Sequence, residues 1–305
     1  MAIKGAMKKY SLLTSILILA CGVMLWPAAI EAREIPAIVS VDWVEKNLGN
    51  PNLIVLDIRK VEDYHAGHIP GAVNAYYGTW AYGRDAKRME IPYEDDLFDA
   101  MGGVGILPGS WVVVTCHTSH CYFTILAARV VCTLLCAGLE NVAILDGGHD
   151  EWVRAGKPVS RDIVKPRKTT YRGKFSKDIL ADKDYVVSRL GKALFVDTRD
   201  RAIFTGEKKQ AFVEKAGRIP GAVNLPASEA YTGTGTFKTK EKLEAVAAGI
   251  VGTDRSREII TYCDAGRHCP TWAFILKEVL GYRNVKLYDG SFEEWSKDPN
   301  LPVTK

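Results

Sequence analysis

The sequence predicts an α/β protein of two tandem domains of one fold, each a parallel sheet flanked by helices. The first observation is an internal repeat. Gly67-His68-Ile69-Pro70-Gly71-Ala72-Val73-Asn74 returns as Gly217-Arg218-Ile219-Pro220-Gly221-Ala222-Val223-Asn224. Around it, and in the same order, Val55-Leu56-Asp57-Ile58-Arg59 matches Phe195-Val196-Asp197-Thr198-Arg199. Val112-Val113-Val114-Thr115-Cys116 matches Ile259-Ile260-Thr261-Tyr262-Cys263. Leu145-Asp146-Gly147 with Glu151-Trp152 matches Tyr288-Asp289-Gly290 with Glu294-Trp295. The second observation is the period, far beyond the about 20 to 50 residues of solenoid repeats, so the units are duplicated globular domains. The third is the alternation of short buried strands with helical segments, the pattern of a parallel sheet covered on both faces.

A length of 305 residues accommodates two such domains, each able to bury a core without disulfides or metals. Hydrophobic content of 47% and charged content of 25% are ordinary for a globular protein. The net charge of +4 is small and the basic residues form no stripe, which argues against nucleic acid as a partner. Seven cysteines, an odd number, do not show the spacing of a disulfide scaffold.

Residues 1–32 read as a targeting segment. Lys4, Lys8 and Lys9 precede an apolar run from Leu12 to Ile30, the n-region and h-region of a secretory signal. Ile30-Glu31-Ala32 offers a cleavage site ahead of Arg33, Ile18-Leu19-Ala20-Cys21 resembles a lipoprotein box, and the run is just long enough to span a bilayer uncleaved. All three outcomes predict a periplasmic or otherwise extracytoplasmic protein. A membrane is a partner only if Cys21 is lipidated or the segment is retained.

The first domain is predicted over 36–160. Ser40 caps a short helix from Val41 to Leu48. Asn52–Asp57 is a buried strand, and Tyr64–Gly71 a turn-rich crossover leading to a short strand at Ala72–Asn74. Trp111–Thr115 is the next strand, Tyr122–Cys136 an apolar helix closed by Gly138, and Val142–Leu145 a strand that turns through Asp146-Gly147-Gly148 into a helix carrying Trp152. Cys132 and Cys136, four apart on the apolar helix, read as core. Residues 161–174 form a basic linker, expected to be a solvated strap. The second domain, 175–305, repeats the order, with a charged insertion at Gly206–Lys215 and a Gly/Thr loop at Tyr231–Phe237.

A cysteine leaving a parallel strand sits at the carboxyl edge of the sheet, where open α/β folds bind ligands. Cys263-Asp264-Ala265-Gly266-Arg267-His268-Cys269-Pro270 is such a strand-to-helix loop. Backbone N–H groups curling around the sulfur and the positive end of the helix both favour thiolate over thiol. The same cradle suits a persulfide or an incoming oxyanion. The first-half loop, Cys116-His117-Thr118-Ser119-His120-Cys121, has no glycine, and the stretch from Cys116 to Gly138 is about one helical turn longer than that from Cys263 to Gly281.

Asp-x-Arg, Gly-x-Ile-Pro-Gly-Ala, strand-Cys-loop and Asp-Gly-x-x-x-x-Trp, in order and twice over, resemble the tandem rhodanese sulfurtransferases. The resemblance covers about residues 37 to 303. It implies persulfide transfer by Cys263, with Asp264, Ala265, Gly266, Arg267 and His268 as the substrate-binding loop, and a structural role for the Asp197/Arg199 pair. It implies no cofactor, a small sulfur-containing anion as donor, and a thiol or other thiophilic acceptor. Two-domain members often carry Asp rather than Cys in the first half, so Cys116 is a second candidate catalytic residue by position. Thiosulfate-using members place basic residues in the loop and mercaptopyruvate-using members small ones, and Asp264 with Arg267 matches neither. The family's substrate-binding arginine falls on Ile203, which leaves Arg201 as the nearest candidate.

Three rival functions stand beside this one. A non-catalytic module would hold a sulfur or selenium oxyanion, or a partner protein, in an inert loop. A metal site at Cys116, His117, His120 and Cys121 is disfavoured because adjacent Cys-His pairs lack the usual two- to four-residue spacers. A phosphatase would need arginine six residues after the cysteine, where Tyr122 and Cys269 stand. Cys121 and Cys269 are read either as resolving thiols for Cys116 and Cys263 or as inward-packed helix starts.

Overall fold

The computed structural model describes residues 33–118 and 121–305. The targeting segment with Cys21, and His120, lie outside the described residues. Among the described residues no helix is long and apolar enough to cross a membrane.

Strands β1 (Ile38–Val39), β2 (Leu53–Asp57) and β3 (Val73–Asn74) precede a hairpin of β4 (Tyr82–Arg84) and β5 (Lys87–Glu90), followed by β6 (Trp111–Thr115) and β7 (Val142–Leu145). Helices α1 (Val41–Asn47), α2 (Val61–Ala66), α3 (Glu94–Gly103), α4 (Cys121–Cys136) and α5 (Gly148–Arg154) alternate with them. The five-stranded sheet has the order β1-β7-β6-β2-β3 with every pairing parallel. The second half repeats it with β8 (Leu180–Ala181), α6 (Lys183–Ser188), β9 (Leu194–Asp197), α7 (Arg201–Phe204), β10 (Val223–Asn224), α8 (Lys240–Val251), β11 (Ile259–Tyr262), α9 (Cys269–Phe274), β12 (Val285–Tyr288) and α10 (Ser291–Lys297). Its sheet runs β10-β9-β11-β12-β8, again parallel throughout. As expected, the Ser40 hydroxyl caps α1 by accepting from the Trp43 amide.

The repeated motifs prove to be one device. Arg59 is buried, grips both oxygens of buried Asp57, and donates to the Gly67 carbonyl at 2.8 Å. Arg199 does the same with Asp197 and the Gly217 carbonyl, also at 2.8 Å. Asp-x-Arg therefore clamps the start of Gly-x-Ile-Pro-Gly to the sheet. The asparagine ending that motif stitches the edge strand: Asn74 donates to the Asp57 and Arg59 carbonyls, Asn224 to those of Asp197 and Arg199. Trp152 and Trp295, fully buried, each donate an indole N–H to a proline carbonyl just beyond their helix. The buried Asp and Arg side chains and the Trp indoles of this device thus find partners, as burial demands.

Three features depart from the expectations. The β4–β5 hairpin and α3 fill a stretch to which the pattern assigned no element. The strap at 161–174 is not freely solvated: Tyr171 is buried and donates to the Ala137 carbonyl, and the Thr169 amide bonds the Gly102 carbonyl at 2.8 Å. Gly102 is glycine because a Cβ there would meet the Thr169 oxygen at 2.4 Å. The halves also share one apolar core, in which α4 packs on α9 and Ala128, Val131 and Cys132 join Trp272, Ala273 and Leu276.

Each half reaches into the other. The Asp of each repeated Asp-Gly accepts a backbone N–H from the opposite half: Asp146 from Phe237 at 2.8 Å, Asp289 from Ile91 at 3.0 Å. The Gly/Thr loop of the second half thus braces the first-half Cys116 edge, and the residue following the first-half hairpin braces the Cys263 edge.

Candidate active site

β11 ends at Tyr262, and Cys263 turns off the carboxyl edge of the sheet. The loop closes tightly at Gly266, with φ +73°, where a Cβ would meet the Asp289 carbonyl oxygen at 2.6 Å. The chain then enters α9, with Pro270 in its first turn. The Cys263 sulfur accepts from the His268 amide at 3.3 Å and from the Cys269 thiol at 3.5 Å. Burial opposes ionisation of Cys263. The Cys269 thiol, the His268 ring and the amides of Cys269 and His268 together outweigh it and hold the thiol well below its usual range. Burial lowers the His268 pKa, and the Cys263 charge raises it in turn. The Cys269 thiol is pushed well up, by burial first and then by Cys263, and stays protonated.

Asp264 does not face the cavity as a bare charge. Its carboxylate lies 3.3 Å from Arg199, which ties the scaffold clamp to the loop. Burial, with the neighbouring Cys263 charge, lifts it to about 7 against the pull of Arg199. Ser291 supports the loop from below. Its hydroxyl accepts from the amides of Cys263 at 3.2 Å and Gly266 at 3.1 Å, and donates to the Tyr288 carbonyl at 2.8 Å. It does so at φ +50°, a left-handed conformation costing a non-glycine residue about 1–3 kcal/mol. The first half has Gly148 at the matching place, with φ +55°.

Arg129, on α4 of the first half, is wholly buried and also reaches the loop. It donates to the Gly266 carbonyl at 3.2 Å, to the Asp289 carboxylate and to the Met89 carbonyl. Burial works against its charge, but Asp289 more than compensates and keeps it ionised. One buried cation thus joins α4, the hairpin strand β5 and the active loop.

Above Cys263 opens a cavity of about 370 Å³. Cys263, Asp264, Ala265, Arg267 and His268 form one wall; Arg88 and Met89 from β5, with Gln210 and Phe212 from the charged insertion, form the other. Gly266 shapes the loop without lining the space. Arg88 stacks over Phe212 at 4.4 Å and its Nε lies 3.7 Å from Glu293. Arg267 is half-buried, its pKa lowered by burial and raised by Tyr77. Arg201 is placed differently from the expectation: it is exposed at the start of α7 and is not among the residues lining the cavity. The second cation is instead Arg88, from the other half of the chain. Sequence reasoning missed Arg88, Arg129 and Ser291. Only Ser291 left a trace, as the serine standing where the repeat has glycine.

Cys116 sits at the matching strand end, beside a cavity of about 510 Å³ that it lines with His117, Tyr76 and Tyr77. The two cysteines are not equivalent. Burial first, then Asp57 and Asp150, push the Cys116 thiol far up, so it stays protonated. Asp150 serves the loop instead, accepting from the Thr118 amide at 2.7 Å and lying 2.9 Å from His117 Nδ1, which raises the His117 pKa. Cys132 and Cys136 are buried core, as expected. No group of three or more metal-ligating side chains occurs among the described residues.

The family described as "Rhodanese-like domain" matches residues 40–155 and 180–298. A Mycolicibacterium smegmatis protein, provisionally named a thiosulfate sulfurtransferase, is 32% identical over 281 residues, covering 87% of this chain and 96% of its own. The "Sulfur carrier protein TtuD" of Thermus thermophilus is 30% identical over 284 residues, covering 88% and 96%. Among solved structures, the anaerobic ergothioneine biosynthesis enzyme of Chlorobium limicola superposes with a TM-score of 0.78 at 23% identity, covering 88% of this chain and 70% of its own. The clamp, the edge stitch, the strand-end cysteine and the buried Trp recur in both halves within the matched ranges, and the chain belongs to the rhodanese-like family, with two tandem domains.

Proposed function

We propose that this chain is a sulfurtransferase that takes a sulfane sulfur atom from a small anionic donor onto Cys263 and passes it to a thiophilic acceptor. The observation that carries the reading is a thiolate-favouring cysteine, held by amide and thiol donors, facing a cavity between Arg267 and Arg88. The thiolate attacks the outer sulfur of the donor, the donor's remainder leaves as its anion, and Cys263–S–S⁻ remains. The names of the sequence relatives agree with this chemistry. An inert binding loop would have no need of a depressed thiol pKa, so the catalytic reading is preferred. Intact mass and sulfide release after incubation with thiosulfate, 3-mercaptopyruvate or polysulfide test it: a gain of one sulfur atom, or release of one sulfide per chain, supports the reading and names the donor, and neither with any of them overturns it.

Arg267 presents a fixed cation to the arriving donor. Arg267→Ala is expected to lower kcat/KM for an anionic donor roughly 10²- to 10³-fold, as loss of one preorganised anion-stabilising donor does. An unchanged kcat/KM would remove Arg267 from the site.

Asp264 sets a pH dependence. Its pKa is raised, so the carboxyl is neutral below about 7 and adds a negative charge beside Cys263 above it. Uptake from an anionic donor is therefore expected to fall as pH rises through about 7 and to stay level in Asp264→Asn. Parallel pH–rate profiles for the two proteins would contradict this. The same sign applies to stability: this carboxyl favours the fold most at low pH and loses that contribution as pH rises from the ordinary aspartate range toward 7.

The working place we propose is outside the cytoplasm, on the basis of the Lys-flanked apolar run before Arg33. Recovery of the mature protein from the cytosolic fraction would overturn that placement.

A further inference from the structure

Cys263 lines the cavity, whereas Cys269 does not: it is fully buried behind Cys263, its sulfur 3.5 Å from the Cys263 sulfur. We propose that Cys269 is a resolving thiol, which displaces the loaded sulfur from Cys263 as hydrosulfide and closes a Cys263–Cys269 disulfide. The inference rests on the sulfurtransferase reading above. In the step, the Cys269 sulfur bonds to the inner sulfur of Cys263–S–S⁻ and the bond to the outer sulfur breaks. The outer sulfur leaves with that electron pair and takes the Cys269 proton, departing as HS⁻. The sulfane sulfur is the oxidant and is reduced to sulfide, the two cysteines are oxidised to a disulfide, and no other oxidant is needed.

The arrangement suits the displacement. Attack on a disulfide-type sulfur comes from the side opposite the leaving atom. Here the leaving atom lies toward the cavity and Cys269 on the protein side. Closing the bond takes the two sulfurs from 3.5 Å to about 2.05 Å. Cys269 is the first residue of α9 and Cys263 the first after β11, so the movement falls on the loop between them. Ser291 lies 3.7 Å from one sulfur and 3.9 Å from the other, and keeps both beside each other. A purely packing cysteine would need no sulfur partner; Cys132, on α4, donates to a carbonyl, that of Pro270 at 3.8 Å.

The site then has two outlets. With an acceptor thiol in the cavity, sulfur moves on directly. Without one, each chain yields a single sulfide and stops until a dithiol reductant reopens the disulfide, which also holds Cys263 away from irreversible oxidation.

Reduced protein, freed of small thiols, is treated under argon with inorganic polysulfide and cleared of the excess. Intact mass and peptide mapping are then compared with Cys269→Ser, which keeps a hydrogen-bond donor but cannot bond sulfur. The expected wild-type product is lighter than the reduced chain by two hydrogen atoms, with the Cys263 and Cys269 peptides linked. Cys269→Ser is expected to retain the extra sulfur on Cys263, with sulfide loss slower by roughly 10²-fold or more, given the advantage of a neighbouring nucleophile. Wild type keeping the extra sulfur as long as Cys269→Ser would overturn the resolving role and leave sulfur transfer standing. Failure of Cys269→Ser to take up sulfur at all would overturn both.

Discussion

Cys263→Ser is expected to lose sulfur transfer by roughly 10⁴- to 10⁶-fold, the scale on which enzymes lose rate with their nucleophile. The hydroxyl is far less acidic than the thiol, and the amide of His268 and the thiol of Cys269 cannot ionise it. Folding should be intact, because serine is smaller than cysteine and its hydroxyl can accept the same donors. Circular dichroism and a denaturant midpoint near wild type are the control. Cys116→Ser should keep most of the activity, since burial and two carboxylates already hold the Cys116 thiol protonated. Steady-state rates for the two variants side by side check both statements. Equal losses would mean that the halves share the chemistry.

Arg129→Met is expected to destabilise the whole chain by about 3–5 kcal/mol, the cost of removing one partner from a buried ion pair. The abandoned group is the Asp289 carboxylate, which keeps only the Ile91 amide at 3.0 Å among its bonds described above. The Gly266 and Met89 carbonyls lose a donor as well. Activity should fall beyond what instability explains, because Gly266 is the hinge of the active loop. Asp289→Asn in the same chain should restore part of the stability by removing the stranded charge. Denaturant melts of the single and double variants measure the coupling. A melt unchanged by Arg129→Met would show that the joint between the halves does not depend on this cation.

The readable part of this molecule is the part that repeats. Two copies of Asp-x-Arg and Gly-x-Ile-Pro-Gly announced the strands, and the structure supplies the reason in the Arg59 and Arg199 clamps. Cys263 was legible because a strand end, a glycine-containing loop and a helix start are all local signals. What lies between the halves was not legible. Arg129 is one charge in the apolar stretch Ile125–Cys136, and its partners lie on β5, in the active loop and just after β12, none of them near it in sequence. Arg88 rides on a hairpin outside the repeated sequence motifs, so its arrival at the other half's cavity depends on tertiary packing alone. Offset from a motif points to Arg201, but at the start of α7 it is exposed. The strap at 161–174 has the composition of a solvated linker, yet Tyr171 and the Gly102 contact bind it down.

On the sulfurtransferase reading, Cys263, and no other cysteine, carries the sulfane sulfur as a persulfide. The direct measurement is site mapping: Cys269→Ser protein is loaded with the effective donor, its thiols and persulfides are alkylated at once, and the peptides are sequenced by mass spectrometry. The predicted result is one additional sulfur on the peptide containing Cys263, lost on addition of an acceptor thiol. Finding that sulfur on Cys116 instead, or finding Cys263 alkylated as a plain thiol after full loading, would contradict a persulfide on Cys263.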